Sequence, residues 1–239
     1  TAYLLTKVAA ATIIDADANT KGKIQLAGDL AGTAAAPTIP GLVLKANAAD
    51  LVTLTTVVTA SSENEQDAVM VQDLFHNTEF FRVYTSTDLK GAELGGALKN
   101  IFALASGLIV GKGLGDNARA ALITRGLVEM SKFYEMYGAD PKSLMGLSGI
   151  GDLVVTCTSP HSRNFQAGFK IGNGKDLEET LNSMTMVVEG IRTCEAAYKY
   201  AQSKNLEMPI ISAVYEVLFN KMDPDIAKNM LLGRSSKPE

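Results

Sequence analysis

Cysteine, histidine and tryptophan are scarce in this sequence of 239 residues. Tryptophan is absent, and cysteine and histidine occur twice each. Cys157 and Cys194 lie far apart in the sequence without a Cys-x-x-Cys spacing. We therefore expect two reduced cysteines, as in a cytoplasmic protein, with a disulfide or a metal site as the open alternatives. Two histidines argue against a multi-histidine metal centre, and we expect no metal.

Positive charge is also in short supply, because the formal net charge is −4. Nucleic acids and acidic membranes favour basic faces, so we expect neither as a partner. The N-terminal residues lack a charged segment followed by a long apolar core, which argues against a signal peptide. The chain length and a hydrophobic content of 46% allow one large or two small domains with a sizeable core.

The first 60 residues contain no arginine and one aromatic residue, Tyr3. Gly and Pro punctuate the stretch NTKGKIQLAGDLAGTAAAPTIPGL, a pattern of short extended pieces and turns. No Gly-x-Gly-x-x-Gly follows a predicted strand here, so these residues do not read as the start of a dinucleotide-binding domain. The segment KGKIQLAGDL weakly resembles linkers and repeats of phage tail-fibre-like proteins. We predict an atypical N-terminal arm over residues 1–54, irregular or β-rich.

The pattern changes at about residue 55. TTVVTAS predicts a short strand, ENEQDAVMVQDLF an amphipathic helix and FFRVYTS a second strand, and nearly everything after them predicts helix. Asp116 and Asn117 are expected to cap a helix that ends at Gly138. Pro141 is expected to open the next helix, through PKSLMGLSGIGDLVVTC. From residue 88 we predict an α-helical domain with a single core.

Lys99 is the only charged residue between Glu93 and Lys112, inside an apolar helix-forming run. A buried ammonium costs free energy unless it is paired or hydrogen-bonded. Either its stem carries the charge to the surface, or the lysine serves in a pocket as a proton donor or acceptor. The neighbouring Asn100 favours a polar cleft. Residues 94–111 have the length of a membrane span, but the lysine, the asparagine and four glycines favour a buried helix.

Further polar groups stand at predicted helix starts. Asp152 follows a glycine pair, and Ser162, Arg163 and Asn164 come in succession. A hydroxyl, a guanidinium and an amide beside free backbone N–H groups suit an oxyanion or a phosphate. A capping serine beside a surface arginine is the alternative. Glu189 is either an ordinary acid at a helix start or a carboxylate that reaches a ribose hydroxyl.

Five stretches over about residues 55–239 together resemble the bacterial-type NAD(P)-dependent glycerol-3-phosphate dehydrogenases. They are VQDLFHNTEFFRVYTSTDLKGAELGGALKN, GLGDNARAALITRGLVEM, GLSGIGDLVVTCTSPHSRN, VVEGIRTCEAAYKYA and EMPIISAVYEVLF. The resemblance implies a mainly α fold. Residues 85–239 would form an all-helical substrate domain of the 6-phosphogluconate-dehydrogenase-like type, and residues 55–84 a remnant of an α/β Rossmann-type domain.

The family interconverts dihydroxyacetone phosphate and sn-glycerol 3-phosphate with NAD or NADP, for glycerophospholipid synthesis. By this resemblance Lys99 would be the general acid and would contact the substrate. Asp152 would hold polar groups of the substrate near that lysine. The phosphate would be bound by three consecutive residues, Ser162, Arg163 and Asn164. The implied partner is therefore a small phosphate ester.

The resemblance also implies that Arg163, Val187 and Glu189 border the nicotinamide nucleotide. The family's Gly-rich pyrophosphate turn has no counterpart in residues 1–54, so we expect impaired hydride transfer. The alternative is a non-catalytic fusion or fragment that serves as a binding or assembly module. Unpaired strand edges over residues 55–84 would also favour self-association as a homo-oligomer.

Overall fold

The computed structural model of the chain describes residues 11–13, 24–26, 43–45, 56–61, 65–76, 81–184 and 186–234. The strands are β1 Ala11–Ile13, β2 Ile24–Leu26, β3 Val43–Lys45, β4 Thr56–Ser61 and β5 Phe81–Ser86. The helices are α1 Glu65–Phe75, α2 Leu89–Gly111, α3 Asp116–Tyr137, α4 Pro141–Leu144, α5 Asp152–Thr158, α6 Arg163–Gly172, α7 Leu177–Asn182, α8 Glu189–Ser203, α9 Pro209–Phe219 and α10 Pro224–Leu232. A π-helical turn, Leu147–Gly151, precedes α5. The fold is mainly α-helical, as the sequence predicts.

The strands form two small sheets. β1 pairs antiparallel with β2, while β4 lies between an antiparallel β3 and a parallel β5 in the second sheet. The helix α1 connects the parallel strands β4 and β5, which confirms the predicted strand–helix–strand order. Ala60, Val71 and Val83 form the small core between this helix and the sheet, with Phe75 packed against it. Within the predicted arm, β1 to β3 are extended, and the remainder of the arm lies outside the described residues.

The apolar helix α2 is the centre of the helical region. It contacts α3, α5, α6 and α8, and Ile101, Phe102 and Leu104 are completely buried. Within the described part of the chain, it is the one helix long and apolar enough to cross a membrane by length and composition alone. However, 61% of its apolar window is buried against the rest of the fold. Its hydrophobicity is therefore accounted for by its place in the protein core.

The two ends of α3 give different results for the predictions. Gly138 ends the helix in the left-handed conformation with φ 64°, as predicted. The prediction that Asp116 and Asn117 cap the start is wrong, because Gly115 is the N-cap and makes no side-chain capping bond. Asp116 is instead the first helical residue, and its carboxylate pairs with Arg119 one turn later at 2.5 Å.

The helix expected to open at Pro141 is interrupted. It ends at Leu144, and the chain resumes through the π-helical turn before α5 begins at Asp152. The prediction of a continuous helix is therefore wrong, and the extended backbone of Gly146 makes the break. The sequence interpretation also omitted α7 and α10, although both have an aspartate cap, Asp176 and Asp223 respectively.

Candidate active site

Lys99 and Asp152 form an ion pair between α2 and the start of α5. Lys99 Nζ lies 2.5 Å from Asp152 Oδ2, and the two side chains are 15% and 11% exposed. Each charge is thereby compensated where water has little access, which is the condition for keeping an ammonium in an apolar helix. The structure brings together the two residues that the sequence proposed for proton transfer and substrate orientation, and their roles stay predictions.

Thr156 adds to this pair, although the sequence interpretation did not include it. Its hydroxyl donates to the backbone carbonyl of Asp152 at 2.5 Å and lies 3.5 Å from Asp152 Oδ1. A residue four positions further along a helix faces the same side. That spacing is the signal in the sequence that could have identified Thr156. Its hydroxyl belongs to the polar surface around the carboxylate.

A second polar group joins three helices beside the ion pair. Asn164 Nδ2 donates to Asn100 Oδ1 at 2.9 Å, and the backbone N–H of Gly190 donates to Asn164 Oδ1 at 2.9 Å. Asn100 Nδ2 in turn donates to Gly96 O at 3.2 Å. The two asparagines are buried, so these bonds satisfy amides that would otherwise be costly. They connect the starts of α6 and α8 to the middle of α2.

Asn164 has two protein partners in this arrangement, and its role at a phosphate stays a prediction. The sequence predicted an amide that binds phosphate, whereas the amide oxygen and an amide N–H both bind protein groups. Its observed contribution is to fix the start of α6. Asn164 follows Arg163 and Asn100 follows Lys99 in the chain, so the bond joins the residues next in sequence to the arginine and the lysine.

Ser162 and Arg163 begin α6. Ser162 is the N-cap, and its hydroxyl accepts from the backbone N–H of Phe165 at 3.3 Å, while its role at a phosphate stays a prediction. Arg163 donates to the carbonyl oxygen of Val187 at 3.2 Å and lies 3.8 Å from Glu189. The latter ion pair is weak, because the arginine side chain is 38% exposed and the glutamate side chain 62% exposed. The three residues proposed to border a nucleotide thus lie together.

Cys157 lies directly behind this site and is buried and free. Burial raises the pKa of its thiol to about 12, while the positive charges of Arg119 and Lys99 act in the opposite direction. Ser106 donates a hydrogen bond to the Cys157 carbonyl at 2.7 Å, which anchors α5 to α2. The thiol stays protonated at neutral pH, so its contribution is packing rather than nucleophilic chemistry.

The residues present fit one end of a dinucleotide. The exposed Glu189 carboxylate can accept from ribose hydroxyls, and the Arg163 guanidinium can bind a phosphate. Between β4 and α1, the sequence of residues 62–64 is Ser-Glu-Asn, which has no glycine and carries a negative charge. A pyrophosphate turn needs glycine, which lets the backbone approach the phosphates closely. It also needs a helix start without an acidic residue, because the ligand is an anion. The sequence of this connection is therefore not that of a pyrophosphate turn, and the contacts of Arg163 and Glu189 with a nucleotide stay predictions.

The helical region matches known dehydrogenases. A family model described as the C-terminus of NAD-dependent glycerol-3-phosphate dehydrogenase matches residues 88–229, more than half of the chain. The glycerol-3-phosphate dehydrogenase [NAD(P)+] of Staphylococcus carnosus is 54% identical over 184 residues, which are 77% of this chain and 55% of that protein. The chain thus spans about half the length of the curated relatives it matches.

Solved structures give the same result. The glycerol-3-phosphate dehydrogenase of Coxiella burnetii is 40% identical with a TM-score of 0.72, and the match covers 76% of this chain and 55% of that one. The enzyme GPD1 of Saccharomyces cerevisiae is 25% identical with a TM-score of 0.68, and the match covers 74% of this chain and 54% of that one. A second family model, a repeat of unknown function, matches residues 14–73. By its helical region, the chain belongs to the NAD-dependent glycerol-3-phosphate dehydrogenase family, whose C-terminal domain it carries.

Proposed function

We propose that the helical region is the substrate half of an NAD(P)-dependent glycerol-3-phosphate dehydrogenase. It binds dihydroxyacetone phosphate or glycerol 3-phosphate, and Lys99 exchanges a proton with the substrate oxygen. The observation that carries this proposal is the enclosed ion pair of Lys99 with Asp152, at 2.5 Å, with the start of α6 bonded to Asn100, the residue that follows Lys99. An anion-binding helix start next to a proton donor matches the two ends of a phosphorylated ketone.

Lys99 acts as the general acid in the reduction. Its ammonium donates a proton to the carbonyl oxygen as that oxygen becomes a hydroxyl, and the neutral amine accepts the proton in the reverse direction. Asp152 fixes the position of Nζ by its contact at 2.5 Å. When bound, the nicotinamide cofactor, NAD or NADP, supplies or accepts the hydride.

Arg163 and the first turn of α6 bind the phosphate. The free N–H groups of a helix start and its dipole favour an anion, and a guanidinium binds phosphate through two parallel hydrogen bonds. In the present structure Arg163 contacts the Val187 carbonyl and Glu189. These partners are exposed and bind weakly, so a phosphate can replace them at the guanidinium at little cost in free energy.

Calorimetric titration with glycerol 3-phosphate tests this proposal. Replacement Arg163→Ala should weaken binding about tenfold or more, because a charge-assisted hydrogen bond is lost. Lys170→Ala is the matched control, since Lys170 lies in the last turn of the same helix and should leave affinity unchanged. Equal affinity of the Arg163→Ala variant and the parent would remove Arg163 from the anion site. A folded chain that does not bind the ester would refute the proposed function.

Turnover is measured separately, as oxidation of NADH or NADPH with dihydroxyacetone phosphate. We expect little turnover, because the connection between β4 and α1 does not fit a pyrophosphate. Any turnover should disappear in Lys99→Ala and persist in Lys112→Ala, which changes the C-cap lysine of α2. Turnover unchanged in Lys99→Ala would refute the general-acid assignment.

The second candidate function is a binding or assembly module without catalysis, and the repeat match over residues 14–73 shows only that this segment resembles a repeat of unknown function. Failure of a folded chain both to bind the phosphate ester and to oxidise cofactor would favour this module.

For either function we infer action in the cytoplasm, where reduced cysteines persist. Self-association through the strand edges stays a prediction, which light scattering over a concentration series would test.

A further inference from the structure

Two contacts repeat at the same spacing between α2 and the segment that leads into α5. Gly95 lies against Ser148 of the π-helical turn, and four residues further along both segments Lys99 meets Asp152. Residues four apart on a helix lie on the same face. The glycine contact and the ion pair are therefore successive steps of one helix–turn interface.

Gly95 is close-packed at this interface. A Cβ atom at this position would lie 2.6 Å from the carbonyl oxygen of Ser148 and 2.8 Å from the hydroxyl oxygen of Tyr134. Both distances are well below van der Waals contact, and the nearer atom belongs to the backbone. Since Gly95 does not have a positive φ, space rather than backbone conformation demands glycine here. Any side chain would move the turn away from α2.

The π-helical turn transmits this contact to the carboxylate. Gly151 N donates to Gly146 O at 3.2 Å, and the backbone N–H of Asp152 bonds to Leu147 O, so the turn is closed by bonds that span five residues. Such turns are rare and occur frequently at functional sites. Asp152 follows directly, so a displacement of the turn at Ser148 displaces the carboxylate as well.

We propose that Gly95 is a positioning residue of the candidate active site. Its lack of a side chain lets the π-helical turn lie against α2, and this close approach fixes Asp152 at contact distance from Lys99. This inference rests on the proposed function, because the position of Asp152 matters for catalysis only if Lys99 and Asp152 act on the substrate. The ion pair itself, however, can be measured whether or not the chain binds or turns over substrate.

The test is nuclear magnetic resonance of the full chain with isotope-labelled lysine, in which the Nζ signal of Lys99 is identified by its loss in Lys99→Ala. In Gly95→Ala we expect the ammonium protons to exchange with solvent about tenfold faster, close to the rate in Asp152→Asn, because a charge-assisted hydrogen bond is lost. An exchange rate equal to that of the parent would overturn the proposal.

Gly111→Ala is the matched control. A Cβ at Gly111 would lie 2.5 Å from the carbonyl oxygen of Phe169, so the same helix meets the same kind of backbone clash far from the ion pair. We expect comparable loss of thermal stability in both variants, but an unchanged Lys99 signal in Gly111→Ala. Equal changes of the signal in both would mean that general loosening, not Gly95, controls the pair, and would overturn the proposal.

A longer carboxylate supplies a rescue that a purely structural role would not produce. In Gly95→Ala with Asp152→Glu, the added methylene spans the widened gap, so we expect slow exchange to return. Asp152→Glu alone should disturb the signal, because the contact at 2.5 Å leaves no room for another methylene. If Gly95→Ala does not fold, the Asp152→Glu variant alone is the test. An undisturbed Lys99 signal in Asp152→Glu would overturn the proposal. Failure to bind glycerol 3-phosphate would refute the proposed function and leave these results standing.

Discussion

The helical region and the β–α–β region differ in how much apolar surface each buries. Helices α2, α3, α5, α6, α8 and α9 share one continuous core, whereas the core of the second sheet consists of Ala60, Val71 and Val83. The ion pair of Lys99 with Asp152 and the bonded asparagines lie on helices of the large core. A site needs rigid support to hold its groups within fractions of an ångström. The comparison explains why the candidate site is formed in the helical region.

The two family models match separate parts of the chain, residues 14–73 and 88–229, but the similarity to the curated dehydrogenases begins within the repeat match. A match over 184 of 239 residues leaves 55 residues, so the similarity to the Staphylococcus carnosus enzyme begins at or before residue 56. The repeat match extends to residue 73, and residues 56–73 therefore belong to both. This shared stretch contains β4 and most of α1. A β–α–β unit with a small core gains stability from the elements that pack against it. The shared stretch can therefore belong to a unit with the repeat segment before it or with the helical region after it.

Large-to-small substitutions should show the largest difference between the two cores, as the loss in free energy of unfolding. Phe102→Ala should cost about 3–5 kcal/mol, because it opens a cavity at a completely buried position of α2. Val83→Ala should cost about 1.5 kcal/mol in the small core. Urea unfolding followed by far-UV circular dichroism measures the first loss, and hydrogen exchange locates both. We expect faster exchange confined to β4, α1 and β5 in Val83→Ala. Faster exchange throughout the helices of that variant would mean one cooperative unit.

The helical region also contains a buried acid whose ionisation opposes folding. Glu129 accepts hydrogen bonds from the backbone N–H groups of Ile210 and Ile211, at 2.6 and 3.1 Å, and so caps the start of α9. Burial raises the pKa of Glu129 from 4.5 to about 7, against these hydrogen bonds and the charges of Lys132 and Arg234. The folded state therefore holds this proton more tightly than the unfolded chain does. The stabilisation is complete below the unfolded pKa and is lost as pH rises through about 7.

We expect the Glu129 contribution to lower the free energy of unfolding by roughly 3 kcal/mol between about pH 4.5 and pH 8. Urea unfolding across this range measures the slope. Glu129→Gln should flatten it, because the amide does not titrate, although one of its two capping bonds is lost. Glu135→Gln is the control, an exposed glutamate on the same helix. A slope in Glu129→Gln equal to that of the parent would assign the pH dependence to other groups.

Local pattern in the sequence was enough to predict some of these features. An apolar run interrupted by Lys99 indicated a buried helix with a polar group inside it, and Gly138 indicated the end of α3. Both inferences use neighbouring residues only. The partner of the lysine, Asp152, lies 53 residues away, and the resemblance rather than any spacing suggested it. The bond between Asn100 and Asn164 likewise depends on how α2 and α6 pack, which no local pattern contains.

The errors have the same origin. The residues LSGIG were expected to continue one helix, because glycine and apolar residues do not distinguish an α-helix from a π-helical turn. At the start of α3, Asp116 and Asn117 both have capping side chains, and the backbone conformation of Gly115 decides the cap instead. Side-chain type therefore identifies a helix end reliably where only one residue fits the backbone, as at Gly138.

The two glycines that flank α3 test this last distinction with the smallest expected effect. Gly138→Ala should destabilise the chain by about 1 kcal/mol, because alanine must adopt the left-handed conformation there. Gly115→Ala should change stability by no more than about 0.5 kcal/mol, since its φ of −86° suits any residue. Neither added Cβ would meet an atom within 4 Å, so sterics with neighbours do not confuse the comparison. Urea unfolding midpoints measure both, and equal losses would mean that the backbone conformation at Gly138 does not decide the end of this helix.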